Sequence, residues 1–371
     1  MSAPGAGRAH GAPRAQAARR AAHGLLVLAA GALVCACADE EALTEPPPTL
    51  DGLVLDTLFE VGDQVGAIGP TFGGIWDVEA APDGRFAVLD LEAPAVHVFD
   101  AAGALLGSIT ATGLDEGALD RPSGLSWARN GELLVWDPGS SWISRFRVGS
   151  DGVTFADRSR AFAFGETGFC ASGDHTYLSY WQDDDNIVHE IGAEGPVRSF
   201  GPAPHVVGVD SLGPELQEIA IEELTPSALL CTPIGVLDVS FMQSGIRLHD
   251  WEGAQRWGRE LDDFTPVVAY TPDGMGLGRM FDAVQGSHLL RSVVPWGQSL
   301  ALVQHELRTQ EIPDEGEIEV FESRLIRLDD GAEVGRSRSL PLVLSAQGNH
   351  LYLVQRDPSP QVIVVEATSG M

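Results

Sequence analysis

The sequence contains no lysine: all 23 of its basic residues are arginine. This absence excludes Schiff-base chemistry and lysine nucleophiles. Positive charge is scarce throughout, and four of the arginines lie in the first 36 residues, which contain no acid. The rest of the chain therefore carries 19 arginines against 53 acidic residues, a net charge of −34. Such an acidic surface repels phosphate backbones, so the sequence indicates no nucleic-acid partner.

The chain also lacks the short motifs of several enzyme classes. It contains no nucleophile elbow, phosphate-binding glycine loop, HExxH or CxxC pair. No apolar run reaches the roughly 20 residues that a membrane-spanning helix needs. The composition is instead 44% hydrophobic with 43 Gly and 23 Pro, which predicts a folded domain of many short strands joined by turns.

The first 36 residues have the features of an export signal. An arginine-bearing stretch leads into the apolar run GLLVLAAGALVCA, which has the length of a secretory signal core. This run continues into VCAC, which resembles the bacterial lipobox and places Cys37 at the position of the lipidated cysteine. The alternative is an ordinary signal peptide cut nearby, which would leave Cys37 as a thiol. The resemblance implies a lipoprotein of the bacterial cell envelope, on the periplasmic or surface side of a membrane.

Residues 37–52 read CADEEALTEPPPTLDG, an acidic and proline-rich segment. Such a segment cannot bury apolar surface and behaves as a stiff, solvated spacer. The sequence thus predicts a signal peptide over 1–36, a tether over 37–52 and a folded domain over 53–371, with the lipid as the contact to the membrane.

From residue 53 onwards the chain repeats one strand pattern. Each copy has an apolar strand, a turn with glycine, a second apolar strand, a polar turn, and a third strand that ends in an acidic-glycine hairpin. Glycine recurs in the first turn because a tight hairpin needs a residue with positive φ. The first halves of the copies span 77–90, 124–137, 169–181, 229–241, 292–304 and 342–355. Their turn glycines are Gly84, Gly131, Gly173, Gly235, Gly297 and Gly348.

The last copy stops where its fourth strand should begin. The missing strand is available at the other end of the domain, where LVLDTLFEVG (53–62) looks like a fourth strand without the other three. Propellers close their ring in this way, which leaves no open sheet edge. The sequence therefore predicts an all-β fold: a monomeric six-bladed β-propeller of four-stranded antiparallel blades, closed by an N-terminal strand.

The segment VFDAAGALLGSITATGLDEGALDRPSGLSW resembles the repeat of NHL-type propellers. That repeat runs from a VFDxxG hairpin through a glycine-rich loop to a Pro-x-Gly before the next inner strand. The matching residues are Val98, Phe99, Asp100, Gly103, Gly113, Gly117, Pro122 and Gly124. The resemblance covers roughly residues 62 to 150 and supports the fold more than any activity.

Two connections are longer than the others. Residues 201–228 contain a predicted short helix, PELQEIAIEEL (214–224), and residues 258–288 contain a glycine-rich insertion. In a propeller both would join the outer strand of one blade to the inner strand of the next, so we expect them on one face. Loops of this length in a compact domain are often functional.

Acidic residues follow the second strand in several copies. On a propeller these turns surround the central channel, where carboxylate oxygens could hold Ca²⁺. The alternative is that each Asp accepts backbone N–H groups in an Asx turn. Trp76, just before an inner strand, is predicted to face the channel mouth. The candidate residues of this ligand or cation rim are Asp90, Asp137, Asp183, Asp184, Asp185, Asn186 and Trp76.

Cys170 and Cys231 lie near the ends of the inner strands of the third and fourth copies. An oxidising compartment would permit a disulfide between them. The alternative is two buried thiols, since adjacent inner strands can lie further apart than the roughly 7 Å between Cα atoms that a disulfide tolerates.

Two functions are compatible with these observations. The first is a binding or scaffold module that presents a rigid ring to a protein, a peptide or a small ligand at the cell envelope. The second is implied by the resemblance, because related propellers include lactonases, paraoxonase-like esterases and a zinc-dependent amidating lyase: a metal-dependent hydrolase or lyase.

Overall fold

The repeated segments fold into six four-stranded antiparallel sheets. The computed structural model describes residues 50–62, 70–110, 117–161, 163, 168–181, 185–269, 287–307, 320–356 and 359–369. The six predicted turn glycines all have positive φ, between 62° and 147°, as tight hairpins require. The signal peptide, Cys37 and most of the tether lie outside the described residues.

Each sheet is one blade, and in blades 1 to 5 the strands run in sequence order from the inner to the outer edge. Blades 1 to 3 comprise β2 (Ile75–Ala80), β3 (Phe86–Asp90), β4 (Ala95–Phe99) and β5 (Leu105–Thr110); β6 (Gly124–Trp127), β7 (Glu132–Asp137), β8 (Trp142–Gly149) and β9 (Gly152–Arg160); and β10 (Phe169–Ser172), β11 (His175–Ser179), β12 (Asn186–Gly192) and β13 (Gly195–Pro202). Blades 4 to 6 comprise β14 (Ser227–Thr232), β15 (Gly235–Ser240), β16 (Gly245–His249) and β17 (Gln255–Glu260); β18 (His288–Trp296), β19 (Leu300–Leu307), β20 (Val320–Arg327) and β21 (Glu333–Ser337); and β22 (Val343–Gln347), β23 (His350–Gln355), β24 (Gln361–Ser369) and β1 (Leu53–Gly62).

The blades form a closed ring. Inner strands β2, β6, β10, β14, β18 and β22 each contact the next, and β22 contacts β2. Strand β1 pairs antiparallel with β24, from Leu53 opposite Ser369 to Gly62 opposite Gln361. Blade 6 therefore takes its outer strand from the start of the domain, and the predicted six-bladed propeller with N-terminal closure is confirmed.

The hydrophobic core is divided among the junctions between blades. Leu89 and Val98 of blade 1, for example, pack with Leu133 and Phe146 of blade 2. Equivalent clusters lie at the other five junctions. The middle strands β3 and β4 are buried along their whole length, because both faces of a blade are covered by neighbours. The walls of the central channel are thus fixed from behind by packed side chains.

The two ends of the ring carry different connections. We call the loop face the end with the blade-to-blade connections and the turns between second and third strands; the hairpin face is the opposite end. Helix α1 (Pro214–Leu224) has the bounds predicted from the sequence. The long connections pack against each other on the loop face: Val267 and Ala269 bury against Leu224, and the N–H of Ala269 donates to the carbonyl of Val207 at 2.8 Å. Among the described residues, no helix is long and apolar enough to cross a membrane.

Candidate functional site

The inner strands of all six blades surround a cavity of about 830 Å³ along the ring axis. Residues of β2, β6, β10, β14, β18 and β22 line it, together with the end of α1 and the start of the turn after β23. We call this cavity the central channel. Ligand sites in proteins are commonly cavities of about 300–1,000 Å³, so the channel has the size of a small-molecule site.

Side chains of one blade hold the inner strand of the next in place. The carboxylate of Asp77 accepts the N–H of Leu125 at 3.0 Å, and the hydroxyl of Ser126 accepts the N–H of Ala171 at 2.9 Å. At the ring closure, the Ser345 hydroxyl accepts the N–H of Ala80 at 2.9 Å. These bonds satisfy backbone donors on strand edges that no further strand covers. The channel wall is therefore held by hydrogen bonds as well as by packing.

Two carboxyl groups, Asp77 and Glu79, lie inside the channel on β2. They are two residues apart on one strand, so their side chains project from the same face. Burial raises the pKa of Asp77 to about 6, against the opposing effect of the N–H donors of Leu125 and Val78. Burial and the negative charge of Asp77 raise the pKa of Glu79 well above its usual value, while a hydrogen bond from Ser345 opposes that rise. Asp77 therefore binds a proton at mildly acidic pH, and Glu79 holds its proton more tightly than an exposed glutamate does.

The remaining charged groups of the channel wall lie on other elements. Glu222 and Glu223 belong to α1, Arg291 to β18, and Arg356 follows β23. The guanidinium of Arg291 forms an ion pair with Glu306 of the neighbouring strand β19. The described lining residues of β6, β10, β14 and β22 are uncharged. Carboxyl groups thus outnumber arginines in the lining of the channel.

Trp76 lies at the loop-face end of β2 and lines the channel. Its indole N–H donates to the carbonyl of Ser123 in blade 2 at 3.1 Å. The side chain nevertheless remains 39% exposed. The structure therefore places a tryptophan ring, held by a hydrogen bond, at the mouth predicted from the sequence.

Cys170 and Cys231 form a disulfide that joins the inner strands of blades 3 and 4. Their Cα atoms are 5.6 Å apart, within the range that a disulfide tolerates. Of the two arrangements left open by the sequence, the structure has the cross-link. Both residues line the channel, so the disulfide is part of its wall.

Asp90 and Asp137 do not present free carboxylates to a cation. Both side chains are fully buried. Asp90 accepts the N–H groups of Gly73 and Gly74 at 2.7 and 3.0 Å, just before the inner strand of its own blade. Asp137 accepts the N–H groups of two residues of the connection before β6, at 2.7 and 2.8 Å. Of the two alternatives, the hydrogen bonds of Asp90 and Asp137 match the second: each of these residues, at the end of a second strand, accepts backbone N–H groups of the incoming connection.

The remaining rim candidates are not brought together into a cation site by the described residues. Asp183 and Asp184 lie outside the described part of the chain. Asp185 is exposed and has a positive φ of 60°, and its carbonyl accepts the N–H of Ala203. Asn186 begins β12, where it pairs with Pro202.

Across the described ranges, no group of three His, Cys, Asp or Glu side chains could hold a metal ion. Two histidines of third strands, His97 and His189, have structural partners instead. The ring of His97 bonds to the Ser108 hydroxyl at 2.8 Å, and that of His189 bonds to the Ser199 hydroxyl at 2.9 Å. Both rings lie within their blades, away from the channel lining.

Sequence reasoning did not identify Asp77 and Glu79. The available signal was their spacing: acidic residues alternate with apolar ones in IWDVEA, a strand expected to lie innermost in blade 1. On an inner strand, such alternation places two charges on one face of a sheet that is covered on both faces.

No protein-family model matches this sequence, and no curated protein sequence matches it. Among solved structures, the chain is similar to a candidate exported protein of Bacteroides fragilis, with 8% identity over 87% of this chain and 97% of that one and a TM-score of 0.52. It is also similar to virginiamycin B lyase of Staphylococcus aureus, with 8% identity, coverage of 85% and 99%, and a TM-score of 0.45. BamB of Moraxella catarrhalis has 11% identity, coverage of 84% and 98%, and a TM-score of 0.36. At such low identity the first likeness supports the propeller fold alone, and the other two carry no functional argument.

Proposed function

We propose that the protein is an exported, lipid-anchored binding module that takes a small ligand into its central channel from the loop face. The observation that carries the proposal is the channel itself. A cavity of about 830 Å³ combines an exposed indole at its mouth with two carboxyl groups inside. Small-molecule sites are typically cavities in which apolar and aromatic side chains stand beside polar groups that fix the ligand's orientation.

The rigidity of the ring supports binding. Packed clusters at the six blade junctions and the hydrogen bonds between inner strands fix the channel walls before any ligand arrives. A site that is already ordered loses little conformational entropy on binding, which favours affinity.

The proposal is tested by blocking the channel. Ala171→Trp places a large ring on a partly exposed inner-strand position of the channel wall. Purified wild-type protein is incubated with a small-molecule extract of bacterial cell envelopes, and retained compounds are identified by mass spectrometry. We expect retention by the wild type and its loss in the blocked variant, provided that thermal melts show both to be folded.

Ala102→Trp is the matched control, because Ala102 is exposed in a hairpin turn outside the channel lining. This variant should retain the same compounds as the wild type. Retention that survives Ala171→Trp would show that the ligand binds elsewhere.

The lipid anchor is a separate part of the proposal and rests on the sequence. If Cys37 is acylated, the protein partitions into the detergent phase and incorporates labelled fatty acid. Cys37→Ser should leave it in the aqueous phase or unprocessed, since a multiply acylated N-terminus anchors firmly. Fatty acid that fails to follow the wild-type protein would contradict the anchor, and with it the assignment to a membrane of the cell envelope.

A hydrolase or lyase is the second candidate function. The observation that favours it is the carboxyl pair, because two acids with different proton affinities are the usual means of moving a proton during catalysis. The retention experiment separates the two functions. A compound recovered unchanged supports binding, and a compound consistently converted by the wild type but not by Glu79→Gln supports the enzyme.

A further inference from the structure

We infer that the ligand of the central channel carries an organic cation, a primary ammonium or guanidinium group, that binds at Asp77 and Glu79 while its apolar part contacts Trp76. The inference rests on the proposed function and narrows it to a class of ligand. It combines three observations: the cavity, the exposed indole at its mouth, and the carboxyl pair inside.

The two carboxyl groups have no cationic partner among the described residues. The carboxylate of Asp77 accepts the backbone N–H of Leu125, and the groups that act on the pKa of Glu79 are Asp77 and the Ser345 hydroxyl. The arginines of the channel wall belong to other elements, and Arg291 is already paired with Glu306. A ligand cation would therefore supply the positive charge that the wall does not place beside the pair.

The position of the pair sets the length of the ligand. Trp76 stands at the loop-face end of β2, and Glu79 is three residues further along the strand. At about 3.3 Å per residue, the Cα atoms of Trp76 and Glu79 are roughly 10 Å apart along β2. A flat ring joined to an ammonium group by a short chain spans this distance.

The surrounding charge favours the same sign of ligand. Glu222 and Glu223 of α1 also line the channel, so four carboxyl groups stand against Arg291 and Arg356. The whole chain after its first 36 residues has a net charge of −34. A channel of one predominant charge sign concentrates ligands of the opposite sign.

Tryptamine is a suitable probe because it has an indole ring and an ammonium group, and tryptophol is its neutral match with a hydroxyl in place of the ammonium. Binding of each to the purified full-length protein is measured by calorimetry at pH 5 and pH 8. A cation must displace protons from the pair, so we expect the dissociation constant of tryptamine to fall about tenfold between these pH values. Binding of tryptophol should not change with pH.

Asp77→Asn keeps an oxygen for the N–H of Leu125 and removes the charge, so the variant should fold. With Asp77→Asn or Glu79→Gln, tryptamine should lose its advantage over tryptophol and its dependence on pH. Asp51→Asn is the control, because Asp51 is exposed and outside the channel lining. It should bind both probes as the wild type does.

Three outcomes would overturn the inference: equal affinity for the two probes, an unchanged preference for tryptamine in both carboxyl variants, or no binding of tryptamine at either pH. Binding of Ca²⁺ at Asp77 and Glu79 that excludes tryptamine would count as the third of these outcomes. Equal binding of both probes that is lost in Ala171→Trp would leave the proposed channel function intact while rejecting the cation. Failure of the retention experiment would reject that function itself.

Discussion

Asp77 lowers the stability of the folded chain at neutral pH. Its pKa is about 6 in the folded protein and near 3.8 when exposed, so the folded state holds the proton more tightly. The free energy of unfolding contributed by this group is therefore highest at low pH and decreases as the pH rises through 6. The charge of a structural carboxylate is expected to stabilise the folded protein, whereas the charge of Asp77 destabilises it.

Asp77→Asn should therefore stabilise the protein at pH 8 by about 1 to 2 kcal/mol and change it little at pH 4. Urea unfolding at the two pH values measures the difference between the variant and the wild type. Asp51→Asn should show no such dependence, because Asp51 is exposed. A variant that is equally stable relative to the wild type at both pH values would contradict the raised pKa.

Asp137 has the opposite effect on stability. Its buried carboxylate accepts two backbone N–H groups of the connection before β6 and the hydroxyl of Ser140. Asp137→Ala leaves these donors without an acceptor and should lower the free energy of unfolding by about 2 to 3 kcal/mol.

Urea unfolding measures the loss, and Asp137→Asn, which keeps one oxygen, should lose less. Asp151→Ala is the control, since Asp151 is exposed in a hairpin turn and should change stability by under about 0.5 kcal/mol. Equal effects of Asp137→Ala and Asp151→Ala would show that the connection is held by other contacts.

At the scale of single residues, the sequence predicts backbone geometry better than side-chain partners. Gly84 and Gly131 follow from the steric demand of a hairpin, which is local. Whether Asp90 binds a cation or a backbone N–H depends on Gly73 and Gly74, whose N–H groups the fold brings within hydrogen-bond distance of its carboxylate. The hydrogen-bond partner of Glu79 was not predictable for the same reason, because Ser345 comes from the last blade.

At the scale of strands, the disulfide between β10 and β14 is the one side-chain cross-link between blades in the described part of the chain. It closes a loop of 61 residues, which in the chain-entropy account stabilises the folded state by up to about 4 kcal/mol. The double variant Cys170→Ser with Cys231→Ser should therefore lose about 2 to 4 kcal/mol.

Calorimetry on the double variant, and on the wild type with and without reductant, measures the effect. Reduction should lower the melting temperature of the wild type and leave the double variant unchanged. A wild type that melts at the same temperature in both conditions would show that packing alone holds blades 3 and 4 together.

Elements with a strong local signal were predicted with their bounds. Helix α1 begins at Pro214 after a glycine and ends at Leu224, and β1 spans the decapeptide that completes blade 6. The outcome of the cysteines was not predictable, because it depends on the 5.6 Å spacing of two inner strands, which is set by the packing of whole blades. Strand identity is encoded locally, whereas distances between strands are a property of the ring.

At the scale of the whole molecule, β1 protects an edge. Removal of residues 1–49 leaves β1 in place, so this truncated chain should unfold cooperatively and melt as the wild type does. Removal of residues 1–62 uncovers β24 and exposes apolar residues of the last blade, including Val362 and Val364, which now pack behind β1.

The longer truncation should therefore melt at lower temperature or aggregate, as followed by calorimetry and light scattering. The shorter truncation is its control, since it removes more than three quarters of the same residues without touching the sheet. Identical melting curves for the two proteins would contradict closure by β1.

Closure by β1 also determines when the molecule can finish folding. Leu53 and its partner Ser369 stand at opposite ends of the domain, so this pairing gives the fold a high contact order. Bringing the ends of a chain of some 300 residues together costs about 5 kcal/mol of loop-closure entropy, which no local contact offsets in advance. Of the described strands, β1 is synthesised first and β24, only 9 residues long, is synthesised last. Strand β1 therefore cannot pair until β24 has been synthesised. Until that pairing forms, the nascent ring has an unpaired strand edge to which other chains can bind.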